Sequence, residues 1–413
     1  MRRNGIKINA ITISKILLGS YLVYNCALVT IGFYIPRLSI ILLLVSAFSV
    51  FTLDGIRFRP LRFKEMEWLL LFAVYSSLSG LLVANNRPLV LQQILFLIEL
   101  LFVAYLICIV TYKSGEADII PWSFLISAVI LSVFMLRGRA VVVGTRLTLT
   151  EGYNSNTLGV FLMFGGWGLL KVCGKMKHFA WSLILSAAGA AILFYFIIRT
   201  GSRKATIGFV AILAMWIIFV FRAKLSQVRR SVRILSILTL IAAIALIAPR
   251  YGSRFVLAGD TIAYRMQDLG NSEGSWTIRL ALIRDALGVF VRNPVFGVGL
   301  NNYRLYSAYE MYSHNTYAEV LACTGLIGGI LFFGLLVMLI KTIFSKAFHD
   351  IKYKQDKVES AYYVTLLIVF LVICMTQICI YNRNLMLVLT QMIAAAILTR
   401  RNKEIEEATQ KTV

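Results

Sequence analysis

Of the three histidines in this 413-residue chain, one has company suited to chemistry. His314 lies in the polar stretch Ser313-His314-Asn315-Thr316-Tyr317-Ala318-Glu319, which runs into an apolar segment carrying Gly325, Gly328 and Gly329. A second polar stretch, Arg199-Thr200-Gly201-Ser202-Arg203-Lys204, separates two apolar runs and holds three cations. Imidazole exchanges a proton near neutral pH, and guanidinium is a permanent cation whose planar fork grips phosphate oxygens in pairs. One imidazole among several guanidiniums suggests chemistry on a phosphate-bearing substrate. Ser313 or Asn315 can cap the helix expected next, which puts His314 in its first turn. There the positive end of the helix and the arginines both disfavour imidazolium, so the ring is expected to be neutral and able to accept a proton. Glu310 and Glu319 can offset that tendency. The plainer reading of His314 is an interfacial residue that only finishes a cap.

Membrane helices must position these residues. With 59% hydrophobic residues, 15% charged and mean hydropathy +0.79, the chain reads as an all-α polytopic membrane protein. Twelve apolar runs fit a hydrocarbon core of about 30 Å. They lie near 15–35, 38–53, 67–84, 94–112, 119–136, 158–173, 179–198, 206–221, 234–248, 316–340, 361–380 and 385–399. Basic residues of short loops gather on the cytoplasmic side. With the N-terminus inside, the inner segments hold 26 of the 42 Lys and Arg residues and the outer ones 16. An even number of spans then places both termini in the cytoplasm of a multi-pass plasma (inner) membrane protein, with His314 outside. The basic start Arg2-Arg3 leads into a span expected to be retained.

The net charge of +23 is mostly this topology signal, with the lipid bilayer as partner and no nucleic acid indicated. The inner basic stretch 341–360 reads as an anchor on that side. Six cysteines lie in or beside apolar spans without metal-type spacing, so neither a disulfide framework nor a zinc site is expected. Of the 16 outer basic residues 15 are arginine, the exception being Lys204, whereas the inner side mixes both types. That excess suits contact with phosphate; the plainer account is arginines that snorkel to the interface. Glu99, inside the fourth span, is flagged as an intramembrane carboxylate, or else as one bonded to a neighbouring helix.

The chain reads as one membrane domain, 1–413, interrupted by a long extracytoplasmic loop at 249–315. Within it, Trp276, Leu280, Ile283, Leu287, Phe290 and Val291 recur at helical spacing opposite Thr277, Ala281, Arg284, Asp285, Gly288 and Arg292. This predicts an amphipathic helix lying on the membrane surface. Arg279 sits at the flank of the apolar stripe, which suggests that it faces a site, and Arg284 on the polar face is a further candidate for contact with substrate. Asn293-Pro294-Val295-Phe296-Gly297-Val298-Gly299 ends the helix, and its two glycines alone are a weak phosphate-loop signal.

The Thr200-Gly201-Ser202-Arg203 turn, Arg279, the Asn293-Pro294-x-Phe296-Gly297-x-Gly299 stretch and the His314-Asn315-x-Tyr317-x5-Cys323-x-Gly325-x2-Gly328 segment resemble the O-antigen ligase and polymerase superfamily. The motifs cover roughly residues 195–340. One departure is Lys204, where the family commonly has glycine. The resemblance implies a membrane glycosyltransferase on the outer face, with a polyprenyl-pyrophosphate-linked oligosaccharide as donor and a glycan or glycolipid hydroxyl as acceptor. Arg203 and Arg279 would stabilise the departing pyrophosphate and His314 would be general base. Arg199 and Lys204 would support them, with Asn315 and Tyr317 among the substrate-binding residues. One-step displacement should invert the anomeric carbon. No cofactor is called for, and because the outer carboxylates are scattered singly, arginine is expected to take the place of a divalent metal. Repeat-unit polymerase is the first reading, transfer to lipid A core or another acceptor by a ligase the second. A flippase of lipid-linked glycans is the alternative from another class, but it should carry its charges near the bilayer midplane, and here they gather at one edge.

Overall fold

The computed structural model describes residues 9–53, 61–221, 275–353 and 357–412. These are almost entirely helical: α1 (Ala10–Val23), continued by a π-helical turn Tyr24–Leu28, α2 (Leu38–Phe51), α3 (Lys64–Val83), α4 (Arg87–Ser114) and α5 (Ile119–Leu136). A two-stranded antiparallel hairpin follows, β1 (Val141–Val143) and β2 (Arg146–Thr148). Then come α6 (Ser155–Gly174), α7 (Phe179–Arg199), α8 (Arg203–Met215) with a π-helical end Trp216–Phe221, α9 (Ser275–Arg292), α10 (Thr316–Lys352), α11 (Lys357–Cys374) and α12 (Arg383–Thr412). Among the described residues nine helices are long and apolar enough to cross a membrane. The protein is an all-α polytopic membrane protein. The span expected at 234–248 and the loop portion 249–274 lie outside the described residues.

Several expected boundaries differ, among them α1, α4 and α12, and three differences have a local reason. The helix expected at 361–380 ends at Cys374; its polar Thr376 and Gln377 fall in a turn whose carbonyls bind other elements. α10 continues to Lys352, so most of the expected inner loop 341–360 is helix. There Lys346 pairs with Asp350 at 3.0 Å, the i,i+4 spacing that brings two side chains together on one face. α2, with 14 residues, rises about 21 Å at 1.5 Å per residue, short of a full hydrocarbon core.

α6 forms the centre, packed by α5, α7 and α8. It is glycine-rich because its neighbours come too close for side chains: a Cβ on Gly165 would lie 2.4 Å from Ala128 Cβ, and one on Gly168 would lie 2.5 Å from the carbonyl oxygen of Pro121. Small residues that admit a neighbouring backbone replace the hydrophobic drive that lipid cannot supply. α3 lies along α10, with Phe72 and Phe332 rings 5.2 Å apart. Glu99 of α4 takes two 2.9 Å hydrogen bonds from Arg383 of α12 and one from the Tyr21 hydroxyl. The intramembrane carboxylate is thus bonded to neighbouring helices, the alternative its sequence position left open. All six cysteines are buried and unbridged.

α10 is not continuous. At Gly325 the backbone leaves the helix (φ 65°, ψ −164°), and the Pro294–Gly299 stretch occupies the break. Val298 N donates to Ala322 O at 3.0 Å, Gly299 N to Cys323 O at 2.9 Å, and Leu326 N to Pro294 O at 2.7 Å. Backbone groups freed by the break are satisfied by another segment, which membrane depth requires. Gly297 and Gly325 permit this contact: a Cβ on Gly297 would sit 2.4 Å from the Cys323 carbonyl carbon, and one on Gly325 2.2 Å from Val295 O. The Gly297-x-Gly299 pair is therefore a packing device whose Gly299 N–H is spent on α10. It is not a phosphate loop.

Candidate active site

The site begins where α7 turns into α8. Gly201 closes α7 in the left-handed region (φ 64°), its N–H donating to Ile198 O at 2.8 Å, a common way for a helix to end. Thr200 Oγ1 turns back to Ile197 O and also accepts from Ser202 N. Ser202 caps α8 by position, yet its buried hydroxyl oxygen finds no partner among the described residues. Arg203 and Lys204 are then the first residues of α8. Cations at a helix N-terminus meet the positive end of the dipole, which typically costs about 0.3–1 kcal/mol each.

The hairpin fixes this turn. Arg146 donates from Nε to Thr200 O at 2.9 Å and from Nη2 to Asn156 Oδ1 at 2.7 Å. It is also a charged neighbour of Lys204. Sequence reading passed over Arg146, one of three arginines in a short connection with no motif around it.

His314 reaches the same place from α10. Asn315 caps α10, its Oδ1 accepting from Ala318 N at 3.0 Å. The helix starts at Thr316, so His314 precedes it and does not lie in its first turn as expected. Its backbone is left-handed (φ 54°), and such conformations cost non-glycine residues about 1–3 kcal/mol. Burial, then the charges of Arg279 and Lys204, hold its imidazole below the ordinary value of 6.5. That is the direction the sequence suggested, although desolvation rather than the helix dipole is the leading cause.

Arg279 arrives on α9. This helix forms as expected, but two stripes share its apolar character. Ala286 and Val289 are buried in one cluster with Ala318, Ala322 and Cys323 of α10 and Leu282 is buried on the same side, while Leu280, Leu287 and Val291 are exposed. Asp285, assigned to the polar face, accepts from the buried Tyr303 hydroxyl at 2.9 Å. Arg279 lies between the two stripes, half-buried. Burial and the neighbouring charge of Arg203 lower its guanidinium from the ordinary value.

One segment joins α8 and α10. In the turn after α11, Met375 O accepts from Asn315 Nδ2 at 3.2 Å, Thr376 O from Lys204 Nζ at 3.2 Å, and Gln377 O from Thr316 Oγ1 at 2.6 Å. Three consecutive carbonyls thus tie down the starts of both helices. The sequence signal was the pair Thr376-Gln377 interrupting an apolar run.

The remaining candidates separate. Arg199 ends α7 and is half-buried. Tyr317 points into the bundle, donating to Leu371 O at 2.9 Å and packing on Phe333. Arg284 is exposed, about 140° around α9 from Arg279 at 100° per residue. Asn315 spends Oδ1 on the cap and Nδ2 on Met375. Among the described residues no group of three or more His, Cys, Asp or Glu is disposed to hold a metal ion.

No curated protein matched the chain. Residues 188–333 match a protein-family model described as O-antigen ligase. That interval begins in α7, contains Arg203, Lys204, Arg279 and His314, and ends past the break in α10. Over this part of the chain, and with it the candidate site, the protein is similar to the O-antigen ligase family.

Proposed function

We propose that this membrane protein transfers a glycan from a polyprenyl-pyrophosphate donor to an acceptor hydroxyl at the extracytoplasmic face. The first reading is polymerisation of lipid-linked repeat units, the second ligation to lipid A core or another acceptor. The observation that supports it is the placing of Arg279 and Lys204 as charged neighbours of His314, with Arg203 beside Arg279 and the imidazole held toward its neutral form. Like charges brought together in a partly desolvated site repel, and a polyanion relieves that repulsion.

In the proposed step the bond between the sugar C1 and the pyrophosphate oxygen breaks, its electron pair leaving with the polyprenyl pyrophosphate. The acceptor oxygen forms the new bond to C1 on the opposite face, with inversion. His314 takes the acceptor proton, and Arg203 and Arg279 stabilise the charge that grows on the leaving group. Lys204, held by Thr376 O, adds a further hydrogen-bond donor at the same place.

Purified protein given a defined lipid-pyrophosphate glycan tests this directly. Chain growth with donor alone supports the polymerase, and transfer only when a core-lipid acceptor is added supports the ligase. Both reactions should survive EDTA. No transfer to either acceptor, or loss on chelation with recovery on added magnesium or manganese, counts against the respective part of the reading.

A further inference from the structure

Directly behind His314 lies a carboxylate that the proposed step does not use. Glu319 stands on the first turn of α10 and is fully buried. Its Oε2 accepts from Ser313 N at 3.0 Å, reaching back over the helix start, while Oε1 is 3.9 Å from Cys323 Sγ, a weak contact. Ser313 is itself buried. Its hydroxyl donates to Asn315 O at 2.9 Å and accepts from Asn315 N at 3.2 Å. His314 is the middle residue of this three-residue turn, and its left-handed backbone persists only if both flanks are held. Asn315 holds one flank through the cap and Met375 O; Glu319 holds the other.

We propose that Glu319 is a positioning residue for His314: its carboxylate fixes Ser313 so that the imidazole is presented beside Arg279 and Lys204. This rests on the transfer reading above. Two features favour it over a general packing role. The acceptor is a long side chain bent back to a backbone N–H two residues before the cap, where the helix itself offers nothing. And the N–H it serves is buried, so losing the carboxylate leaves a donor with no water to replace it.

Three variants separate reach from the carboxyl group itself. Glu319→Gln keeps an oxygen at the same distance, Glu319→Asp keeps the carboxyl but withdraws it by one methylene, and Glu319→Ala removes both. Two readouts are followed: single-turnover transfer alongside donor affinity, and the rate at which diethyl pyrocarbonate modifies His314, resolved by peptide mass spectrometry and independent of activity. Gln should behave as wild type in both. Asp and Ala should slow transfer by about 10²-fold, the scale of an ångström-level misplacement, with donor affinity unchanged, and should raise the modification rate of His314 several-fold. Should Ala fail to accumulate in the membrane, the comparison of Asp with Gln carries the test. Wild-type modification rates in Asp, or Gln failing as badly as Asp, would overturn the proposal. If modification rises as expected while His314→Ala transfers normally, the positioning stands and the general-base reading falls.

Discussion

At His314 three influences act in one direction: burial, the charge of Arg279 and the charge of Lys204 all hold the imidazole below 6.5. A general base must be neutral to work. With its folded value depressed, His314 stays neutral below the pH at which a free histidine charges, and its contribution is lost only as pH falls through that lowered value. The limb of a single-turnover pH profile that disappears in His314→Ala should therefore lie below pH 6.5; a His314-dependent limb at higher pH contradicts the assignment. His314→Ala should slow transfer by about 10²–10⁴-fold, the usual worth of general-base assistance, with donor affinity near wild type. Arg279→Ala should weaken donor binding as well. Arg203→Lys and Arg279→Lys test geometry apart from charge, because lysine offers a point cation without the fork. Both should lose most of the turnover in correctly inserted protein, and full activity in either would remove the bidentate grip. Arg284→Ala should remain close to wild type, since that side chain is exposed on another face of α9.

At the scale of elements, the site also depends on a backbone contact. The Pro294–Gly299 stretch enters the gap in α10, and Gly297 and Gly325 both hold positive φ against the partner's main chain. Alanine at either position adds conformational strain of about 1–2 kcal/mol and an overlap with backbone atoms that cannot rotate away. Gly297→Ala and Gly325→Ala should lower the thermal midpoint of the detergent-purified protein markedly and abolish transfer. Gly288 supplies the control: it lies within α9, and a Cβ there meets nothing within 4 Å. Gly288→Ala should be neutral or stabilising by up to about 1 kcal/mol, as helix propensity dictates. Equal damage at positions 288 and 297 would mean that the interlock is not what holds the site.

For the whole molecule the open quantity is orientation. Nine described helices have the length and composition of membrane spans, and the proposed arrangement with the site outside rests on the excess of Lys and Arg in the inner segments. The six natural cysteines are buried, so a single introduced thiol can report. Thr145, exposed in the hairpin connection, and Asn402, exposed on the distal part of α12, lie on opposite sides in the proposed topology. An impermeant maleimide should label Thr145→Cys in intact cells and Asn402→Cys only after permeabilisation. The reverse pattern inverts the orientation and removes the extracytoplasmic reaction with it.

The sequence by itself determined the elements. Apolar runs of membrane length specify helices whatever surrounds them, and the Thr200-Gly201-Ser202 turn and the helical spacing around Arg279 are local patterns read within a few residues. His314, Arg203, Lys204 and Arg279 were legible for the same reason: unusual residue types at the edges of such elements. Tertiary structure alone decided how they meet. Lys204 and Thr376 are 172 positions apart, and no periodicity links a lysine to a carbonyl that donates no side-chain signal. Arg146 holds Thr200 across 54 residues, and Glu319 serves an N–H on the far side of a helix cap. The glycines of the Gly297-x-Gly299 stretch show the limit most plainly. Their pattern suits either an anion or a backbone, and only the break in α10 at Gly325, which needed partners for its freed carbonyls and N–H, settled which.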